Sequence, residues 1–212
     1  VKIVATHGGI TVGEDGASHQ CMEDIGIMRV LPNMVVILPA DGIETRKAMK
    51  AIIEHQGPVY MRLSRMNFPV LFDESYDFKI GKGTVVREGR DVSIVATGLM
   101  VSQSLKAVES LEQEGISAQV INISTIKPLD QELIIQAART TGALVTAEEH
   151  SIIGGLGSAV AEVLSENCPT PLRRIGTQDK PGTSGKPVEL LERYLLNPRH
   201  IISAVKEVLQ QK

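Results

Sequence analysis

Fourteen residues near the start of the chain concentrate groups that can move protons and read hydroxyls. They run His7-Gly8-Gly9-Ile10-Thr11-Val12-Gly13-Glu14-Asp15-Gly16-Ala17-Ser18-His19-Gln20. Four glycines, two histidines and two carboxylates follow directly on an apolar run at residues 1–6. Imidazole titrates near neutrality and a carboxylate accepts from a hydroxyl, so the set suits proton transfer and sugar-hydroxyl recognition. Glycines also let backbone approach a ligand closely. If the apolar run is a strand of a parallel sheet, the loop lies at its carboxyl end, where such sheets bind ligands. Ser18 is placed to cap a helix over residues 20–30. The bland alternative is a glycine-rich turn with two solvated histidines.

A second candidate is Arg62-Leu63-Ser64-Arg65, at the end of the apolar run 59–63. Strand alternation puts Arg62 and Ser64 on one side, Leu63 and Arg65 on the other. An arginine just past a strand end can clamp a phosphate or carboxylate as a bidentate fork. The alternative is a surface arginine. The third is Glu148-Glu149-His150-Ser151-Ile152-Ile153-Gly154-Gly155-Leu156-Gly157-Ser158. It fails the G-x-G-x-x-G test because the third position is Val160, and its acidic pair would repel a pyrophosphate. It reads better as a tight strand-to-helix turn packed on glycine. No P-loop, C-x-x-C or H-E-x-x-H is present, and no metal site is argued. His55 and His200 are lone histidines near helix ends and receive no role.

Short β-branched runs must position these loops. They fall at residues 1–6, 34–38, 59–63, 91–97, 118–123, 143–147 and 172–175, and several are apolar nearly throughout. That is the mark of strands buried on both faces of a parallel sheet. Helix signals lie between them. Asp41 with Glu44 resembles a capping box, followed at Gly57 by a stop signal. Val101, Leu105, Val108 and Leu111 share one helical face, ended by Gly115. Asp130 can cap a helix carrying Leu133, Ile134, Ala137 and Ala138, with Gly142 after it. Residues 157–167, 187–196 and 201–209 read as further helices. Strand–helix alternation implies a parallel, helix-covered sheet. An acidic, aperiodic stretch near residues 69–82 marks a linker. The first 70 or so residues are too few for a complete α/β sheet, whereas the remaining 130 or so suffice for a domain.

The chain of 212 residues carries 22 Lys plus Arg against 25 Asp plus Glu, a net charge of −3. That balance argues against a basic nucleic-acid surface. Six aromatic residues, none of them Trp, argue against base-stacking platforms. The longest charge-free stretch, 14 residues at 92–105, is too short and polar to span a bilayer. Two cysteines, Cys21 and Cys168, far apart and in unlike contexts, are not expected to make a disulfide framework or a four-ligand zinc site, which points to a reducing, cytoplasmic setting. The chain begins at Val1, without Met, inside an apolar run, so we expect it to be the trailing part of something longer.

Taken in order, these motifs resemble the transketolase family across essentially the whole chain. Thr6-His7 followed by Gly13-Glu14-Asp15-Gly16-Ala17-Ser18-His19-Gln20 is similar to its pyrimidine-binding-domain motif. Arg29-Val30-Leu31-Pro32-Asn33, Pro39-Ala40-Asp41 with Glu44, and Leu63-Ser64-Arg65 follow in the family's order. Val95-Ala96-Thr97-Gly98, Ile126-Lys127-Pro128-Leu129-Asp130 and Glu148-Glu149-His150 with Gly154-Gly155-Leu156-Gly157 resemble its C-terminal domain.

The resemblance implies a fold and a role. The fold is α/β: a partial parallel-sheet pyrimidine-domain segment at residues 1–70, a linker at 71–82, and a complete three-layer α/β C-terminal domain at 83–212. The activity is thiamine-diphosphate-dependent transfer of a two-carbon ketol unit from a ketose phosphate to an aldose phosphate. By resemblance, His7 contacts the donor's reacting end and Asp15 reads a substrate hydroxyl. His19 stands near the cofactor's aminopyrimidine as a proton shuttle, and Arg65 binds the substrate phosphate. Gly8 and Ala17-Ser18 depart from the Asp and Pro-Thr of many members. The family's ring-protonating glutamate, its stacking aromatics and its diphosphate and Mg2+ site lie upstream of these motifs. The expected partners are therefore an N-terminal section or subunit, a second copy of this section in a homodimer, and sugar phosphates, with no nucleic acid and no membrane. A C-terminal subunit of this kind should carry roughly 100 further residues at its N-terminus. A deoxyxylulose-phosphate synthase or the β-subunit of a 2-oxoacid dehydrogenase is the alternative within the same chemistry. A non-catalytic assembly module is the alternative outside it.

Overall fold

Each apolar run becomes a strand, and the pairing is mostly parallel. The computed structural model describes residues 1–212. The strands β1 (Lys2–Ala5), β2 (Val35–Ile37) and β3 (Val59–Arg62) form a parallel set in the order β1-β3-β2. Two helices serve this sheet, α1 (Asp24–Val30) and α2 (Gly42–Glu54). Ala48 and Ile52 of α2 cover Val35, Ile37, Val59 and Met61 on one face. Ile25 of α1 joins Val36 and Tyr60 on the other. Period-two alternation sorts β2 and β3 into these two faces. β1 is an edge strand; its own Ile3 and Val4, and Val1 just before it, are exposed.

Asp41 starts α2, accepting from the Glu44 backbone N–H at 2.7 Å. The capping box is only half made. The Glu44 carboxylate reaches past the cap to the Ala40 N–H at 2.6 Å, and also accepts from Tyr76 and Asn122. Asp41 accepts in addition from the Leu71 and Phe72 N–H groups at 2.7 and 2.8 Å. The aperiodic stretch is therefore irregular but fastened: Phe72 stacks on Tyr76, and Phe78 is buried under α2.

The second sheet runs β4-β6-β5-β8-β9, from β4 (Thr84–Arg87), β5 (Val92–Ala96), β6 (Ala118–Asn122), β8 (Leu144–Ser151) and β9 (Leu172–Thr177). All its pairs are parallel except β4 with β6. Helices α3 (Leu99–Gln113), α6 (Pro187–Arg193) and α7 (Pro198–Leu209) cover one face. Helices α4 (Gln131–Thr141) and α5 (Leu156–Asn167) cover the other. The result is a three-layer α/β arrangement. Asp130 caps α4 through the Leu133 N–H, and Gly142, at φ 65°, closes it in the left-handed region.

Two strands escaped the sequence reading, β4 and β7 (Thr125–Lys127). Both are short and antiparallel, so neither leaves a continuous apolar run. β7 leaves its own sheet and pairs antiparallel with β2, extending the first sheet to β1-β3-β2-β7. One core of 18 buried residues consequently joins both sheets, running from Ile25, Val36 and Tyr60 to Ile121, Ile134 and Val160. No helix is long and apolar enough to cross a membrane.

Candidate functional site

The loops after β1 and β3 open on one edge because those strands run parallel. Residues 8–13 are buried, so the glycine-rich loop lies against the protein. Ile10–Asp15 forms a 3-10 turn whose Ile10 sits in the core with Leu190 and Leu191 of α6. Gly8 N–H donates to the Leu63 carbonyl at 3.2 Å and Gly9 N–H to the Cys21 carbonyl at 2.8 Å. The helix expected from residue 20 begins only at Asp24, without a side-chain cap. Ser18 caps nothing; its hydroxyl faces His19 Nδ1 at 3.0 Å.

The four residues singled out from the sequence, His7, Asp15, His19 and Arg65, are all exposed on this edge. Asp15 and Arg65 meet: Nη1 donates to the Asp15 carboxylate at 2.8 Å and to the Val12 carbonyl at 2.7 Å. Arg65 Nε and Nη2 have no partner within the chain. His7 Nδ1 faces the Thr6 hydroxyl at 2.9 Å, and neither histidine hydrogen-bonds to Asp15 or Arg65. A cleft of about 370 Å3, lined by Pro39, Asp41, Ser64, Met66 and Phe68 among others, opens beside the β3 loop. All four are exposed on the loop surface, and of them only Asp15 and Arg65 are brought into contact.

Beneath that face lies a charged cluster that sequence reasoning missed. Arg62 is only 4% exposed, so it is not a surface arginine. Its Nη1 donates to Asp24 at 3.2 Å and its Nη2 to the Glu149 carbonyl at 2.7 Å. The Glu149 carboxylate stands 3.8 Å from Nη2. Tyr60, two residues before Arg62 on the same face of β3, donates to Asp24 at 2.6 Å. Glu149 accepts from both the N–H and the hydroxyl of Thr11, at 2.8 and 2.7 Å. Burial pushes the Glu149 carboxyl above its ordinary range, with Arg62 pulling it back.

The neighbouring Glu148 carboxylate caps α5, accepting from the Leu156 and Gly157 N–H groups at 2.7 and 2.8 Å. The tight-turn reading of this segment describes that arrangement. Complete burial pushes Glu148 up to about 7. Burial holds the His150 imidazole below its ordinary range. Its Nδ1 faces the Ser151 carbonyl at 2.7 Å, and its Nε2 accepts from the Gly26 N–H at 3.3 Å.

The transketolase pyrimidine-binding-domain model matches residues 1–70. The transketolase C-terminal-domain model matches residues 81–201, more than half of the chain. The chain belongs to the transketolase family. A solved split-gene transketolase, described as an inactive β4 tetramer, is 50% identical over 99% of this chain, with a TM-score of 0.92. A 6-deoxy-6-sulfo-D-fructose transketolase subunit of Clostridium sp. (strain MSTE9) is 46% identical over the full chain. A 1-deoxy-D-xylulose-5-phosphate synthase of Heliobacterium modesticaldum is 40% identical over 98% of this chain and 32% of its own length. The chain spans 66–67% of the first two relatives. Transketolase-family subunits of this kind are parts of larger assemblies, and those similar to this chain differ in substrate. No three His, Cys, Asp or Glu side chains cluster so as to hold a metal ion.

Proposed function

We propose that the chain is the C-terminal section of a thiamine-diphosphate-dependent transketolase that passes a two-carbon ketol unit from a ketose phosphate to an aldose phosphate. Residues 1–70 are the later half of the pyrimidine-binding domain, 71–82 the connection, and 83–212 the C-terminal domain. The observation that carries the reading is the contact of Asp15 with Arg65 at 2.8 Å, in a loop whose two imidazoles, His7 and His19, are also exposed. A hydroxyl acceptor and an anion fork are thereby set side by side, as a sugar phosphate requires.

When bound, thiamine diphosphate supplies a nucleophilic carbon and an electron sink. This chain's donor set fits that group at one end only. His19, its Nδ1 turned to Ser18, keeps Nε2 free to hold or move a proton at the aminopyrimidine. His7, its Nδ1 turned to Thr6, keeps Nε2 for the oxygen of the donor's reacting carbon. Asp15 accepts from a substrate hydroxyl. Arg65 Nε and Nη2 form the fork for a terminal phosphate. By the family resemblance, an N-terminal partner section is expected to hold Mg2+ and the diphosphate, in an assembly with two copies of each.

The test is reconstitution with that partner section and cofactor. Ketol transfer between pentose phosphates is expected, with none from the 212-residue chain alone. The description of the 50%-identical split-gene structure as an inactive β4 tetramer supports the second expectation. Product formed only from pyruvate and an aldose phosphate would instead assign the synthase reaction, which the 40%-identical relative keeps in view.

A further inference from the structure

We propose that Arg62 and Glu149 are a positioning pair that fixes the His7 loop; the proposal rests on the reading of His7 as a site residue. His7 has φ 64°, a left-handed backbone that a non-glycine residue adopts only when its surroundings impose it. What imposes it lies directly after. Gly8 sits on the Arg62 side chain, and a methyl group there would overlap it. Gly9, at φ 90°, sits between the Glu149 carboxylate and the Arg62 guanidinium, with no room for a side chain. Two residues further on, Glu149 holds Thr11 by both its N–H and its hydroxyl. The backbone from 8 to 11 therefore rests on one arginine from β3 and one glutamate from β8.

The pair is itself fixed. Arg62 is held by Asp24 at 3.2 Å and the Glu149 carbonyl at 2.7 Å, and Tyr60 braces Asp24 at 2.6 Å. Side chains of Arg62, Asp24 and Glu149 are each no more than 7% exposed. A buried ion pair adds little stability over apolar residues of the same volume, because its desolvation offsets its attraction. What this one supplies is shape and direction: the Arg62 side chain, its Nη1 and Nη2 donors spent on Asp24 and Glu149, is the surface on which Gly8 and Gly9 lie, and the Glu149 carboxylate is the fixed acceptor for Thr11. Arg65 is held separately, through Val12 and Asp15. Those Arg65 contacts involve neither Arg62 nor Glu149, so the pair acts on the His7 end of the loop more directly than on the phosphate fork.

The experiment uses the chain assembled with its partner section and cofactor, with histidine rings isotope-labelled. The chain has only five histidines, and His7→Gln assigns the His7 signals. In Arg62→Ala the His7 ring resonances move. The kcat falls about 10- to 100-fold, the cost of displacing a reacting group by roughly an ångström, while KM for the phosphorylated acceptor stays within about twofold. Glu149→Gln keeps an acceptor for Thr11 and retains most of kcat; Glu149→Ala does not. Unmoved His7 signals with kcat within about twofold in folded Arg62→Ala protein would overturn the proposal, as would equal losses in the two Glu149 variants. If Arg62→Ala fails to fold, Thr11→Val, which keeps volume and removes one Glu149 contact, is read by the same two measurements. Wild-type protein without ketol transfer would sink the functional reading, while the His7 spectrum would still decide the positioning role.

Discussion

Replacing Arg65 by alanine tests the proposed site most directly, because the structure separates what that side chain does within the chain from what it offers a substrate. Within the chain, Nη1 serves the Val12 carbonyl and Asp15. That ion pair is between groups 43% and 45% exposed, so its loss costs no more than about 1 kcal/mol. Nε and Nη2 stay free for a phosphate. Hydrogen bonds to charged groups contribute about 1.5–3 kcal/mol net. Arg65→Ala should therefore lower kcat/KM for a phosphorylated acceptor by about 10- to 150-fold. An unphosphorylated acceptor, such as free glyceraldehyde, should lose about fivefold at most, the equivalent of the Asp15 pair. Arg65→Lys, keeping charge but not the fork, should fall between. The assay is kcat/KM for both acceptors in the reconstituted enzyme, with wild type, Ala and Lys side by side. Equal losses for the two acceptors would refute the phosphate role, because a residue that only shaped the loop would impair both alike.

Further outcomes follow from other groups. His19→Ala should lower kcat about 10²- to 10⁴-fold with little change in KM, and unchanged kcat in steady-state assays would remove it from proton transfer. Glu148, raised to about 7 from an ordinary 4.5, binds its proton more tightly in the folded chain than in the unfolded. Its contribution is therefore least unfavourable at acid pH, and stability is lost as pH rises through that interval. Glu148→Gln should remove about 2 kcal/mol of that fall between pH 5.5 and 8, seen as a flatter dependence of the urea midpoint on pH. Parallel curves for the two proteins would refute it. His150 acts in the opposite sense, since its depressed value favours the neutral ring and adds stability as pH rises toward 6.5. Asp41→Ala removes a helix cap and strands the Leu71 and Phe72 N–H groups, so urea unfolding should report a loss of about 2–4 kcal/mol.

Much of this was legible in the sequence wherever the determinant is local. Buried parallel strands read as apolar runs because both faces must be apolar, and Asp130 and Gly142 bracket α4 as their side-chain chemistry demands. The His7, Asp15, His19 and Arg65 set was legible as motif. Its one direct contact, Asp15 with Arg65, joins residues 50 apart, and no spacing rule predicts it. Arg62 was illegible for the same reason. Its partners Asp24 and Glu149 lie 38 and 87 residues away, so a buried ion pair looked like a solvated strand end. Alternation did hold a hint, since Tyr60 and Arg62 share a face and therefore share Asp24. The helix after the loop starts late because residues 16–22 are committed to the loop's own backbone bonds and to Ser151, not to a helix. β7 could not be read because its three residues gain their strand character only from β2.

That borrowed strand sets how the two sections part company. Because β7 hydrogen-bonds into the first sheet, the connection at residues 71–82 is not what keeps the sections together. A single peptide-bond cleavage there would leave two fragments held by the short, bulged β2–β7 pairing and a shared core of 18 side chains. Separating them would resemble unfolding more than undocking: slow and steep in denaturant, with a midpoint that falls on dilution as for any two-fragment complex.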